Sequence, residues 1–548
     1  MPEKYVINVD LAKVRFSKPG DETKTETRTL GWGDVVEINN PDQDITDTEV
    51  NIKWTAFHSL PDGSVEPVPI VGKIIPSKGS KIKPRDVVIK KSESQILKVD
   101  FVDVQQGDGA VIETPAGKIV LIDGGDNQLF ARYLANRFRN SSAANPCKID
   151  CMLVTHGDAD HFAGLAKIRD SESSDTPRKR LFLCPRRVYH NGLVKRPGKK
   201  NGRDVPDKEM LGATKTVRDP ETGKNILLIT EFETNLTTVN DAKMNEPFKR
   251  WKKDLQAYNQ RLQATEQKDI EFRRLEFGDK DAFNFLSEDD EDKKIKVEVL
   301  APILTEANGT RGLRFLRNPP KGPRTSEEFM SIEDKEFSKS LSASHTINGH
   351  SIVFQLRYGD FTFLFSGDLN DEAERILTKA HNRNEINLQA DVFKVPHHGS
   401  HDFSGAFVQA VAPIISLISS GDESARKEYI HPRATILGAL GRFSRVDEPI
   451  IFITELVAFF QTEGWMRKQF HQLTDKGSAA VADDKDVVDP RKHDFYAFSR
   501  AAFGLVMVRT DGKRLLVYTN SALEDMKEAY AFEINEFGKP EPAMLRQA

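Results

Sequence analysis

The sequence predicts an α/β protein whose strands and helices alternate in layers. Two observations predict it. Short apolar runs of strand length recur, with helix-period stretches between them. Several of these runs end, within a few residues, in histidine or aspartate. Met152-Leu153-Val154 precedes His156-Gly-Asp158-Ala-Asp160-His161, Phe363-Leu364-Phe365 precedes Asp368, Val392-Phe393-Lys394-Val395 precedes His397-His398, and Val120-Leu121-Ile122 precedes Asp123. Strand ends that carry donors meet along one edge of a layered sheet, so these side chains are expected to converge. A chain of 548 residues exceeds one ordinary core, so at least two domains are expected.

The elements follow in order. Residues 1–94 read as a β-rich unit: Val50-Asn-Ile-Lys-Trp-Thr-Ala-Phe alternates apolar and polar side chains, a turn signal stands at Pro61-Asp-Gly, and the basic Pro76–Arg85 segment reads as a linker. Residues 95–548 form the second unit. It begins with strands near Leu97–Val104, Ala110–Glu113 and Lys118–Ile122, then a helix near Asn127–Arg139 and strands near Ile149–Val154 and Leu181–Cys184. Residues 188–345 read as a long insertion. It holds the basic run Val194–Arg203, a helix whose Phe248, Trp251, Leu255, Tyr258 and Leu262 recur at helical spacing, and an acidic run after Ser287. Strands then resume near Ser351–Arg357, Phe361–Phe365, Asp391–Val395 and Ile414–Ile418. Helices are expected near 371–380, 403–411 and 433–442. A hairpin turning at Asp511-Gly512 closes the chain.

Composition narrows the class. A net charge of −4 gives no whole-chain signal for nucleic acid, so a phosphate-binding footprint must be local, and Arg178–Arg203 is where it would lie. Cys147, Cys151 and Cys184 make an odd count with no CxxC pair, which fits buried thiols in a reducing compartment rather than a disulfide framework. The first residues lack an apolar leader, and the longest apolar run, near Val408–Ile418, is interrupted by Gln409, Pro413 and Ser416. A cytoplasmic protein without a membrane span is expected.

Histidine nitrogens and carboxylate oxygens are the donors that Zn²⁺ and Mn²⁺ take, and a two-metal site adds a carboxylate able to bridge the ions. His156, Asp158, Asp160 and His161 supply four donors from one loop. Asp368 suits the bridge. One of His397 and His398 suits the remaining place, and the spacing leaves their order open. Neighbouring residues of an extended strand point to opposite faces, so one histidine would ligate and the other would face the substrate. The assignment carried forward places His156, Asp158, Asp160, His161, Asp368 and His397 on two divalent ions, Zn²⁺ first and Mn²⁺ second. Asp123 is open between fixing its loop and approaching the metals, and Asp108 is expected to shape a turn.

Seven motifs then make a resemblance specific. They are Asp103-Val-Gln-Gln106-Gly-Asp108, Leu121-Ile-Asp123-Gly-Gly, His156-x-Asp158-x-Asp160-His161, Asn348-x-x-Ser351, Ser366-Gly-Asp368, Lys394-Val-Pro-His397-His398-Gly-Ser400 and Tyr429-Ile-His431-Pro432. In this order the chain resembles the metallo-β-lactamase superfamily, in the branch that includes the hydrolase domain of the DNA-uptake protein ComEC. The resemblance implies an αββα four-layer sandwich and hydrolysis by a metal-activated water. It implies catalytic roles for Asp160, His398 and His431, and substrate contacts at Asn348, Ser351, Lys394 and Ser400. The sequence departs from the family at Asp158, where many members have histidine, at Asn348/Ser351 in place of a third histidine, and at Gln105, where glycine is usual in this branch.

The expected activity is that of a phosphodiesterase or nuclease. The alternatives are hydrolysis of another ester, amide or thioester, and an effector subunit that binds protein partners through residues 1–94 or the helix at 248–262.

Overall fold

The computed structural model describes residues 3–59, 65–76, 81–200, 202–220, 222–287, 295–319, 325–333, 340–421, 431–456, 501–502, 504–519 and 527–548. The expected turn at Pro61-Asp-Gly, residues 77–80 of the basic segment, the acidic run at 288–294 and Tyr429 lie outside the described residues.

Two sheets face each other across one core. The first has ten strands, in the order Glu271–Arg274, Arg187–His190, Cys151–Leu153, Ile119–Asp123, Gly109–Glu113, Leu97–Phe101, Val506–Thr510, Arg514–Thr519, Ala529–Ile534 and Pro540–Ala543. The second has six: Ile295–Ala301, Val353–Tyr358, Phe361–Phe365, Val392–Lys394, Ile415–Ile418 and Ile450–Ile453. Their inner faces supply Val99, Phe101, Ile122 and Leu153 from one side and Phe354, Leu356, Phe363, Phe365 and Leu417 from the other. Phe354 stacks on Phe365 at 4.6 Å between ring centroids, the offset contact such cores favour.

Each outer face is covered by helices. Leu129–Arg137, Ala159–Ser171 and Glu246–Glu266 pack on the first sheet through Phe130, Leu134, Phe162, Leu165, Trp251 and Leu255. Asp371–Asn382, Gly405–Val411 and Ala434–Phe443 pack on the second through Leu377, Phe407, Val408, Ile436 and Leu440. The result is the expected αββα arrangement.

Residues 188–345, expected to be one insertion, are only partly peripheral. Arg187–His190 and Glu271–Arg274 pair in parallel within the first sheet, and Ile295–Ala301 pairs with Val353–Tyr358 in the second. The helix Glu246–Glu266 is the crossover between the two parallel strands, as such strands require. Its stripe Phe248, Trp251, Leu255, Tyr258 and Leu262 is no more than 4% exposed. That apolar face is filled by the domain's own core and is not free for a partner.

The N-terminal strands form a separate seven-stranded sheet with its own core. The sheet continues past the segment expected as a linker, because Val88–Lys90 pairs back onto Glu3–Ile7. The chain's end returns here: buried Asp10 takes Arg514 Nε at 3.1 Å and the Arg546 backbone N–H at 2.7 Å. No described helix is long and apolar enough to cross a membrane.

A buried charge cluster ties the C-terminal strands to the first sheet. Asp100, 1% exposed, accepts from Tyr133 Oη at 2.6 Å, pairs with Arg509 Nη1 at 2.7 Å and contacts Arg137. Glu113 takes Arg137 Nη2 at 2.6 Å. Burial pushes Glu113 up, but Lys98 and Arg137 outweigh it and hold it down at about 2. Arg509 and Arg137 likewise outweigh burial at Asp100 and depress it further. Stability from these depressed carboxylates is complete above their unfolded values near ~4 and is lost as pH falls toward 2. Asp100→Asn is expected to cost about 3–5 kcal/mol, since it leaves two buried guanidiniums undercompensated. Urea unfolding at pH 7 measures this, and an unchanged midpoint would refute the cluster's role.

Candidate metal centre

Every donor of the site sits just beyond the carboxyl end of a strand. Strands Ile119–Asp123 and Cys151–Leu153 run parallel, as do Phe361–Phe365, Val392–Lys394 and Ile415–Ile418, so their carboxyl ends open on one edge. After Cys151–Leu153 the chain turns through Thr155 and His156 into helix Ala159–Ser171, with Asp158 at its N-cap position. Asp160 and His161 therefore lie in the first helical turn.

Four side chains converge. Asp160, His161, Asp368 and His398 each offer one donor atom, and those atoms all lie within 4.8 Å of one another. His161 Nε2 and His398 Nε2 approach Asp368 Oδ2 at 3.2 and 3.1 Å, and His398 Nε2 lies 3.6 Å from Asp160 Oδ2. Both ring nitrogens are buried and neither makes a hydrogen bond, and the same holds for Asp368 Oδ1. Buried nitrogens that converge on one carboxylate oxygen fit a cation among them. The donor set, two imidazoles and two carboxylates, suits Zn²⁺ or Mn²⁺. Asp160 retains 24% side-chain exposure while the other three are nearly closed, so the site opens to solvent on its side.

Partners behind these donors fix their aim, as metal sites require. Asp123 Oδ2 lies 2.9 Å from His161 Nδ1, and its two oxygens also accept from the Thr155 backbone N–H at 2.8 Å and Thr155 Oγ1 at 2.7 Å. This directs His161 Nε2 toward Asp368. His398 Nδ1 meets Ser419 O at 3.0 Å. Ser351 Oγ donates to Asn348 O at 2.7 Å and accepts from the Asp368 backbone N–H at 3.0 Å. Asp108 does more than shape a turn. It contacts Lys394 Nζ, lies 3.5 Å from His398 Nδ1, and is buried under the site. Sequence reasoning missed this pair; its signal was the Gln106-Gly-Asp108 motif beside a lysine one strand away.

The expected residues divide as follows. Asp160, His161 and Asp368 come together as anticipated. His398, not His397, completes the group. The strand-alternation argument fails because the strand ends at Lys394, and His397 and His398 adopt left-handed backbone at φ 50° and 52°. The two rings separate by a turn, not by a pleat. Asp158 is outside the group and holds Lys195 Nζ at 2.7 Å. His156 lies beside it, its ring 4.0 Å from that of His161, yet outside the four-donor set.

Lys394 is 5% exposed and donates to Gly367 O at 3.0 Å. Ser400 is 5% exposed, four residues before the N-cap of the next helix. Its Oγ accepts from the Asp402 N–H at 3.2 Å. Asn348 and Ser351 position Asp368 from beneath. His431 stands at the rim, 6.2 and 6.5 Å from the rings of His397 and His398. Burial, with His398 and His397 adding to it, pushes His431 down to about 3, so it stays neutral. His345 and His350 are tied to Asp402 and to Arg314 O. Gln105 takes φ 61°, the left-handed conformation that glycine favours, which accounts for the glycine of the related branch.

The field of the site is negative. Burial opposes charge on His161, but Asp368 and Asp123 outweigh it and hold its pKa well above the ordinary histidine range. Asp368, with Asp108 and Asp160, does the same for His398. These carboxylates favour cations, and a divalent ion held by the two rings would have to displace their protons. His156 is the opposite case: burial and the neighbouring His161 hold it well below the usual value, as a neutral donor.

Residues 102–173 match the model of the metallo-beta-lactamase superfamily. The chain is also similar to "ComE operon protein 3" of Bacillus subtilis (strain 168), at 34% identity over 121 residues. That match covers 21% of this chain and 15% of the relative, a small part of either protein. The superfamily match, with the four-donor group, supports a metal-dependent hydrolase. The segment similar to that superfamily carries Asp108, Asp123, Asp160 and His161.

Proposed function

We propose that the chain is a metal-dependent phosphodiesterase, with nucleic acid or nucleotides as the substrate class. The observation that carries this reading is the group Asp160, His161, Asp368 and His398, with the ammonium of Lys195 held on Asp158 at the N-cap of the helix that supplies Asp160 and His161. A divalent ion held by the four donors supplies Lewis acidity and makes water a nucleophile near neutral pH.

The chain's own residues do the rest. Asp123, Ser419 and Ser351 orient His161, His398 and Asp368. Asp160, on the open side, is placed to accept a proton from an attacking water. Lys195 Nζ offers positive charge to an anionic phosphoryl oxygen, and neutral His431 at the rim can accept a hydrogen bond from substrate. The basic footprint is narrower than Arg178–Arg203. Arg186, Arg187 and Arg196 are paired with Glu266, Glu271 and Glu231. Lys199 and Arg203 remain exposed on the small hairpin after Lys195, a local patch of the kind that holds phosphate.

The test is turnover of DNA, RNA, a chromogenic phosphodiester and a chromogenic carboxylic ester with Zn²⁺ or Mn²⁺. The reading predicts phosphodiester cleavage that disappears in Asp160→Asn. Turnover confined to the carboxylic ester would overturn it.

A further inference from the structure

We infer that Lys195 is a resident counter-ion at a second cation position, so that the wild-type chain holds one divalent ion tightly and excludes another. The inference rests on the metal-dependent reading above and concerns the half of the site formed by His156 and Asp158.

The ligands of that half are present but engaged. Asp158 Oδ1 holds Lys195 Nζ at 2.7 Å, with the two side chains 18% and 24% exposed. His156 is 1% exposed, and its Nε2 has no hydrogen-bond partner. Its tautomer follows from its neighbours. Thr155 Oγ1 donates to Asp123, and Ser351 Oγ donates to Asn348 O, so both hydroxyl hydrogens are used. His156 Nδ1 lies 3.2 Å from Thr155 Oγ1 and 3.3 Å from Ser351 Oγ, and must be the donor to their lone pairs. Nε2 is then left with a bare lone pair, buried and unspent. A buried acceptor with no partner, two positions before Asp158 and within the field of Asp368, Asp160 and Asp108, is a half-built cation site.

Lys195 fills the charge demand of that half. An ammonium on Asp158 repels a dication at short range and takes the carboxylate that would ligate it. Among the described residues, Asp368 Oδ1 is a nearby carboxylate oxygen without a hydrogen bond, and it belongs to a residue of the four-donor group; the other neighbours are engaged. Ser351 Oγ is spent on Asn348 O and the Asp368 N–H, His350 Nε2 is tied to Arg314 O at 2.7 Å, and His345 faces Asp402 at 3.3 Å. Lys195 reaches the site because its backbone is pinned: its carbonyl accepts from the Asn245 N–H at 2.9 Å, at the start of helix Glu246–Glu266. At the four-donor group the nearby ammonium is held farther off: Lys394 Nζ is committed to Asp108 and Gly367 O and lies 3.9 Å from Asp368 Oδ1, against 2.7 Å between Lys195 and Asp158.

The test is metal stoichiometry, read by elemental analysis and by titration with Zn²⁺ and with Mn²⁺ on the full chain. Wild type is expected to hold one equivalent. Lys195→Met, which keeps the stem and removes the charge, is expected to bind a second equivalent, and Lys195→Met/His156→Ala is expected to return to one. Lys195→Arg keeps a cation and should stay at one, which separates charge from loss of packing; circular dichroism checks that each variant is folded. Two equivalents of comparable affinity in wild type, or only one in Lys195→Met, would overturn the inference and leave the hydrolase reading standing. No equivalent in wild type would overturn that reading as well.

Discussion

Asp368→Asn should abolish tight metal binding and lower turnover by at least ~10³-fold, or about 4 kcal/mol of transition-state stabilisation. The substitution is nearly isosteric. The Asp368 backbone N–H still bonds Ser351 Oγ, so the side chain keeps its place and the change reports charge. Asp368 Oδ2 is the atom on which His161 Nε2 and His398 Nε2 converge, at 3.2 and 3.1 Å. Replacing an anionic oxygen by an amide removes the shared ligand and leaves two imidazoles facing a neutral group. Partners one shell further out typically cost ~10–100-fold in metal affinity when lost, and a direct ligand should cost more. Elemental analysis beside steady-state kinetics checks both quantities. Full metal content in Asp368→Asn would refute its place in the centre.

Gly107→Ala should be among the most damaging single methyl groups in the chain. Gly107 has φ +99°, which an L side chain rarely adopts, and a Cβ there would lie 1.7 Å from the backbone oxygen of Asp160. The clash is with backbone, so no rotamer relieves it. The cost combines left-handed strain of about 1–2 kcal/mol with displacement of a helix start, and a total above ~3 kcal/mol is expected. The displaced turn carries Asp160 and His161, and the loop also holds Asp108 beneath His398. Metal affinity should therefore fall together with the melting temperature. A variant that melts like wild type and retains its ion would show that the loop yields without moving the site.

The sandwich was legible because its signals are local. Apolar runs such as Phe361–Phe365 match their strands end for end, and the stripe from Phe248 to Leu262 matches a buried helix face. The convergence of Asp160, His161 and Asp368 was legible because each follows a strand. What escaped depends on contacts distant in sequence. Lys195 pairs with Asp158 across 37 positions, and Lys394 meets Asp108 across a far longer stretch. No local pattern shows that a carboxylate of a metal-like loop already has a cation. The exchange of His397 for His398 came from backbone: two consecutive left-handed residues before Gly399 are rare, and alternation along a strand was the wrong geometry. Such conformations are costly and tend to persist at functional sites. The crossover role of the helix at 246–266 was hidden because its flanking strands Arg187–His190 and Glu271–Arg274 are short and rich in arginine.

The most direct test compares the metal content of His398→Ala and His397→Ala. The two residues are adjacent and chemically identical, so only geometry separates them. The account predicts that His398→Ala loses the tightly bound ion, because it removes one of four converging donors, and that His397→Ala retains it. Retention in His398→Ala with loss in His397→Ala would contradict the centre as described.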